Sequence, residues 1–165
     1  MQYENVKMYP PQRDITRYSL IKEGEKMLIV VGFNPSTADD KRIDPTMRFV
    51  LGIAKFNGYN GFAMINLYPL RSTNPDNLPI EVDDDIVKEN FSQINSLLER
   101  YPFADVLLAY GNLVEKRSYT KTIANRLLEL LHNKSREIYC LGKLKSGNPK
   151  HPLRTPYSTK LQKYI

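Results

Sequence analysis

Asparagine, histidine and short hydroxyl side chains, set among prolines and glycines, stand at four places in this 165-residue chain, each just beyond an apolar run. The four are Gly32-Phe33-Asn34-Pro35-Ser36-Thr37, Asn66-Leu67-Tyr68-Pro69-Leu70-Arg71, Tyr110-Gly111-Asn112, and residues 147–153 around His151. In the first, Pro35 stiffens the exit from the run while Asn34, Ser36 and Thr37 offer amide and hydroxyl groups beside backbone N–H donors. That chemistry suits a phosphate or a positioned water, or else a tight turn whose side chains serve their own backbone. Asn66 ends a run that is otherwise apolar, so its amide has to be satisfied by the protein or by a ligand. An amide sets a donor beside an acceptor and so matches the edge of a nucleobase, although strand-end asparagines also form turns. Phe33 and Tyr68 carry rings that either stack on a base or fill a core. His151, between Lys150 and Pro152 with Gly147 and Pro149 nearby, is displayed on a non-helical loop, where a ring N–H can donate to a leaving group. His132 falls at the end of a predicted helix, and the dipole there is sufficient explanation for it.

The elements that must position these loops alternate. Residues 27–32 form a continuous apolar strand, as expected of a strand buried on both faces. Asp44-Pro45 marks a helix start, with Met47, Val50, Leu51 and Ala54 at helical spacing and Asn57-Gly58 as the stop. A second strand covers residues 61–67. A proline-punctuated loop leads to a helix over residues 84–100 with Val87, Phe91, Ile94 and Leu98 inward, then a third strand over 104–110. A helix from 114 to 132 buries Ile123, Leu127, Leu130 and Leu131, and a fourth strand covers 137–141. Partial alternation over residues 13–21 reads as an antiparallel edge strand or hairpin arm. The pattern predicts a single α/β domain over residues 1–165, a three-layer sandwich around a four-stranded, mostly parallel sheet in the order 2-1-3-4. Ligands of such sheets bind at the carboxyl ends of the strands, which places all four loops around one crevice.

Composition narrows the chemistry. No apolar run approaches the roughly 20 residues that span a bilayer, and the first five residues do not begin a signal segment, so a cytoplasmic protein without a membrane partner is expected. Two histidines and one cysteine are too few for a zinc site, and no cofactor is expected; Cys140 reads as a small buried hydrophobe. The formal charge of +6 favours polyanions, and the excess gathers at residues 116–121 and 134–163, where Lys143, Lys145, Lys150 and Arg154 flank the fourth loop. Each of these lysines is also an ordinary solvated side chain. Asp39, Asp40 and Asp44 together offer an alternative, hydrolysis assisted by Mg²⁺.

Across residues 13–156 the motifs Asn34-Pro35-Ser36-Thr37-Ala38-Asp39, Asp44-Pro45-Thr46, the segment 66–75, Tyr110-Gly111 and Gly147-Asn148-Pro149-Lys150-His151-Pro152-Leu153 resemble a family of small bacterial and phage domains without an established activity. Their order along the chain is also similar to that of the uracil-DNA glycosylase superfamily. That resemblance implies a glycosylase-like fold, with Asn34 positioning a water and Asn66 reading the base. It also implies that Tyr110-Gly111 stands in a Trp-Gly place and that His151-Pro152-Leu153 supports the departing base. It assigns catalysis to Asn34 and His151, places Phe33, Pro35, Ser36, Thr37, Asn66, Tyr68, Arg71, Tyr110, Gly111 and Asn112 around a base or nucleotide, and gives phosphate contacts to Lys143, Lys145, Lys150 and Arg154. The expected partner is nucleic acid or a free nucleotide. The expected function is cleavage of an N-glycosidic bond, or capture of a nucleotide-derived ligand without cleavage. Asn34 departs from an aspartate in the first loop, Tyr110 departs from tryptophan, and the serine-rich ending usual after His-Pro is missing.

Overall fold

In the computed structural model, which describes residues 1–12 and 14–164, every strand belongs to one sheet. In chain order the elements are β1 (Lys7–Tyr9), β2 (Ser19–Lys22), β3 (Met27–Gly32), α1 (Pro45–Phe56), β4 (Gly61–Asn66), α2 (Asp84–Arg100), β5 (Asp105–Leu108), α3 (Ser118–Asn133), β6 (Ile138–Cys140) and β7 (Gln162–Lys163). Short 3-10 turns occupy Pro75–Asn77 and Gly111–Glu115. The strand order is β1-β2-β4-β3-β5-β6-β7. Neighbours within β4-β3-β5-β6 are parallel, and the outer pairs β1/β2, β2/β4 and β6/β7 are antiparallel.

The sheet is therefore mixed and seven-stranded, where the sequence predicts four strands and an N-terminal edge strand or hairpin arm; the hairpin is what forms, as β1 and β2 pair antiparallel. The difference lies at the margins. β2 is an inner strand rather than an edge, because the three-residue β1 pairs outside it, and Arg13 of the anticipated segment lies outside the described residues. At the other margin, β7 adds two residues alongside β6. Both additions are too short and too polar to show a period-2 pattern.

β3 and β4 are buried at every position, as runs that are apolar up to Asn66 require when helices cover both faces. Alternate residues feed two cores. Leu28, Val30, Phe62, Met64, Leu107 and Ala109 pack against Met47, Val50, Leu51 and Ala54 of α1. Ile29, Val31, Ala63, Ile65, Val106 and Leu108 pack against α2 and α3 through Phe91, Ile94, Leu98, Ile123 and Leu127. Leu130 is only partly buried. α1 begins where the sequence predicts, with the Asp44 carboxylate accepting from the Met47 N–H and Pro45 in the first turn. α3 starts later than predicted, since residues 111–115 wind as a 3-10 turn and the Thr120 hydroxyl donates back to the Val114 carbonyl.

The C-terminal tail crosses back over α1. Asn57 Nδ2 donates to the Thr159 carbonyl (2.9 Å) and Asn57 Oδ1 accepts from the Leu161 N–H (3.1 Å). The Tyr157 ring covers Gly52, whose missing side chain leaves it room. Cys140 is buried in β6 as a free thiol. No helix among the described residues is long and apolar enough to cross a membrane.

Candidate functional site

A cleft of about 160 Å³ opens on the α1 face at the carboxyl ends of β3, β4 and β5. Two of the four predicted segments contribute to its wall, the first through Gly32, Phe33, Asn34 and Ser36 after β3 and the fourth through His151 after β6; the other two stop short of it, and their neighbours Ser72, Thr73 and Pro75 after β4 and Ala109 and Leu113 around the 3-10 turn line it instead. Asp44, Thr46 and Met47 at the start of α1 form another side.

Asn34 is fixed by its own amide. Nδ2 donates to the carbonyls of Pro35 (3.0 Å) and Ser72 (2.9 Å), with the Leu70 carbonyl at 3.4 Å, so the nitrogen faces the loop backbone. Oδ1 accepts no hydrogen bond from the described residues and is the atom left for a donor entering the cleft. Arg71 supports the same loop, donating from Nη1 to the carbonyls of Ser36 and Ala38 at 3.0 Å each.

His151 is set by backbone as well. The Leu153 N–H donates to His151 Nδ1 at 3.2 Å, so Nδ1 carries a lone pair and the proton of the neutral ring is on Nε2. Burial holds the imidazole pKa below its ordinary value, with the Asp44 carboxylate opposing that shift. A backbone hairpin precedes the histidine, with Leu144 N–H donating to the Asn148 carbonyl and Lys150 N–H to the Gly142 carbonyl. Thr155 Oγ1 donates to the His151 carbonyl behind it. Gly111, at φ +61°, lies beneath: a Cβ there would stand 3.2 Å from His151 Cβ, so glycine meets both the left-handed backbone and the close approach.

Asn66 is 1% exposed, and neither Nδ2 nor Oδ1 has a hydrogen-bond partner among the described residues. It pairs in register with Gly32, whose absent side chain makes room for it: a Cβ on Gly32 would lie 2.8 Å from Asn66 Oδ1. Asn66 does not itself line the cleft, but its neighbours Gly32 and Met64 do, so the amide lies just under the floor.

Other predicted site residues serve the framework. Tyr68 is fully buried with its ring 5.3 Å from Tyr119, and Tyr110 belongs to the core shared with α2 and α3, where burial pushes its phenol pKa up. Neither lines the cleft. Phe33 lines it and belongs to that same core. Pro35 is buried and its carbonyl accepts from Ser72 N–H, whereas Thr37 is exposed and outside the cleft. Asn112 is exposed and accepts from Ser146 Oγ and Asn148 Nδ2, tying the 3-10 turn to the histidine hairpin. Lys143, Lys145, Lys150 and Arg154 are exposed on the surface, away from the cleft lining.

The cleft also holds a residue that sequence reasoning passed over. Arg17 lines it at 2% exposure, with only a charged residue inside a strand-like run to mark it in the sequence. The acidic trio is not a metal centre: Asp39 accepts from the Lys41 and Arg42 N–H groups, Asp44 caps α1, and no group of three or more His, Cys, Asp or Glu among the described residues is placed to hold a metal ion.

Neither a curated protein nor a solved structure matches the chain significantly. A family model does, over residues 17–153, a span that opens at Arg17 of the cleft and closes just past His151. The chain thus belongs to the family described as Protein of unknown function (DUF1643).

Proposed function

We propose that the cleft receives a nucleobase and that the protein is a DNA glycosylase-like hydrolase of the N-glycosidic bond of an unusual base. The observation that carries this reading is the fixed state of His151: a neutral ring, locked by the Leu153 N–H so that Nε2–H is the free donor, in the same cleft as an unengaged Asn34 carbonyl oxygen. A cleft of about 160 Å³ is in the range of a single ring system, since an engineered cavity of about 150 Å³ takes benzene. The resemblance of the loops to the uracil-DNA glycosylase superfamily supports the same assignment.

Cleavage passes through an oxocarbenium-like sugar, so the site has to stabilise the departing base and present a water. The C1′–N bond breaks with its electron pair moving to the base. His151 Nε2–H donates a hydrogen bond to the base oxygen that gains charge, and Asn34 Oδ1 accepts from the water that adds to C1′. That water's proton ends on the base. Asp44 lines the cleft with Oδ1 on the Met47 N–H, which leaves its other oxygen to face the cationic sugar. Asn66 would read the base edge after Met64 moves from above it.

A second reading, a module that captures a nucleotide-derived ligand without cleaving it, is favoured by Asn34 itself, because an amide cannot take a proton from water. One experiment separates the two. The full chain is incubated with DNA carrying modified bases, free base is followed by mass spectrometry, and small molecules bound to the purified protein are extracted and weighed. Release of free base that falls roughly 100-fold or more in His151→Ala and in Asn34→Ala, with unfolding midpoints near the parent, supports hydrolysis. Ligand recovered intact with no base released overturns it in favour of capture.

A further inference from the structure

Arg17 reaches the cleft as a buried cation that no described residue meets in an ion pair. It is 2% exposed; Nη1 donates to the Ala38 carbonyl at 2.9 Å, and Nε–H has no acceptor among the described residues. None of the ion pairs formed by the described residues includes it. A guanidinium offers five N–H donors in a planar fork, and burying one half-used is costly unless an oxyanion or water completes it. The surroundings raise that cost. Arg71 donates to the same Ala38 carbonyl, bringing a second guanidinium beside the first. Asp44 is the largest compensation in the field, ahead of Tyr3 and Asp39, but it forms no ion pair with Arg17 and caps α1 with one oxygen.

We infer that Arg17 is an anion receptor and that the ligand of this cleft carries an oxyanion, either a carboxylate on its ring or a phosphate, which completes the hydrogen bonds of the buried guanidinium. The ring part of this ligand rests on the nucleobase reading above; the oxyanion part rests on Arg17 alone. The two sources share one chemistry, oxygen atoms of a delocalised anion accepting from a fork of N–H donors. Asp44 repels any such anion in the same cleft, so the site balances a strong receptor against a weaker opponent.

The test follows the Arg17 Nε–H resonance of the full chain by NMR, assigned by its loss in Arg17→Gln, while orotate, uracil and inorganic phosphate are added in turn. Orotate is a pyrimidine ring bearing a carboxylate, and uracil is the same ring without it. A shift of the Nε–H signal with orotate or phosphate, and affinity for that anion about tenfold or more weaker in Arg17→Gln, is the expected result. Orotate binding assigns the charge to the ring, and phosphate binding without orotate binding assigns it to a phosphate and overturns the ring part of the reading. Asp44→Asn keeps the helix cap and removes the repulsion, so anion affinity rises in that variant. If Arg17→Gln fails to fold, Arg17→Lys, which keeps the charge but loses the fork, weakens the anion instead. Uracil binding as tightly as orotate, or anion binding unchanged by both Arg17 variants, overturns the anion receptor and leaves the nucleobase reading standing.

Discussion

The carboxyl ends of the parallel strands feed the same loops to two faces of the sheet, and the faces treat them differently. Toward α2 and α3 go Phe33, Leu67, Tyr68 and Tyr110, all buried in one continuous core. Asn90 of α2 spends its amide hydrogens there on the carbonyls of Asn66 and Leu67. Toward α1 go Gly32 and Asn66, beside Asp44, Arg17 and His151; here the Asn66 amide and Arg17 Nε have no partner among the described residues and lie at an opening, whereas Asn90 Oδ1, also without one, is sealed in the core on the other side. Successive residues of a strand point to opposite faces, so one step along the chain separates the α2/α3 core from the cleft side. The α2/α3 face holds the fold; the α1 face keeps unfilled hydrogen-bonding capacity at an opening.

The sharpest way to break this contrast is to cut into each face in turn. Tyr68→Ala removes one of the largest fully buried side chains and should cost about 3–5 kcal/mol in urea unfolding, with ligand affinity per folded molecule unchanged. A loss of affinity in Tyr68→Phe at unchanged stability would instead move that ring into the site. On the other face, Asn66→Leu exchanges an amide without partners for an apolar group and should raise unfolding free energy by about 1 kcal/mol while weakening the ligand. A destabilised Asn66→Leu that still binds would put the asparagine with the framework.

The smallest effect is pH-dependent. Burial lowers the folded-state pKa of His151 beneath the ordinary value of 6.5, so between the two the unfolded chain binds a proton that the folded chain does not. Stability should therefore fall as pH drops below about 6.5 and level off beneath the folded value, and the difference should vanish in His151→Gln. Urea midpoints taken in pH steps on both proteins measure it. Stability rising toward acid pH would mean that the ring is held protonated, against the Leu153 N–H bond.

Much of this arrangement is legible in the chain itself. Asp44-Pro45 announces α1, and the apolar runs before Asn34, Asn66 and Tyr110 mark β3, β4 and β5. Asn34 and His151 come to one cleft from more than a hundred residues apart because they follow β3 and β6, parallel strands of one sheet with only β5 between them. Tyr68 and Tyr110 are misplaced by composition alone: an aromatic beside a turn suggests a stacking platform, but counting from Ala109, which faces α1, puts Tyr110 on the far side. Arg17 is invisible for another reason. Its burial depends on the Ala38 carbonyl and on loops folded from distant parts of the chain, and no local pattern records that. β1 and β7 are too brief for any period to register.

The tail that runs from Thr155 over α1 to β7 lies beyond the span shared with the family, yet it grips the histidine segment from behind while the 142–150 hairpin grips it from in front. The imidazole is thus mounted like a gate post set at both ends, one footing inside the span that the family model matches and one outside it. Replacing Thr155 by valine removes the rear footing alone, and so would retune the histidine without touching a single residue that lines the cleft.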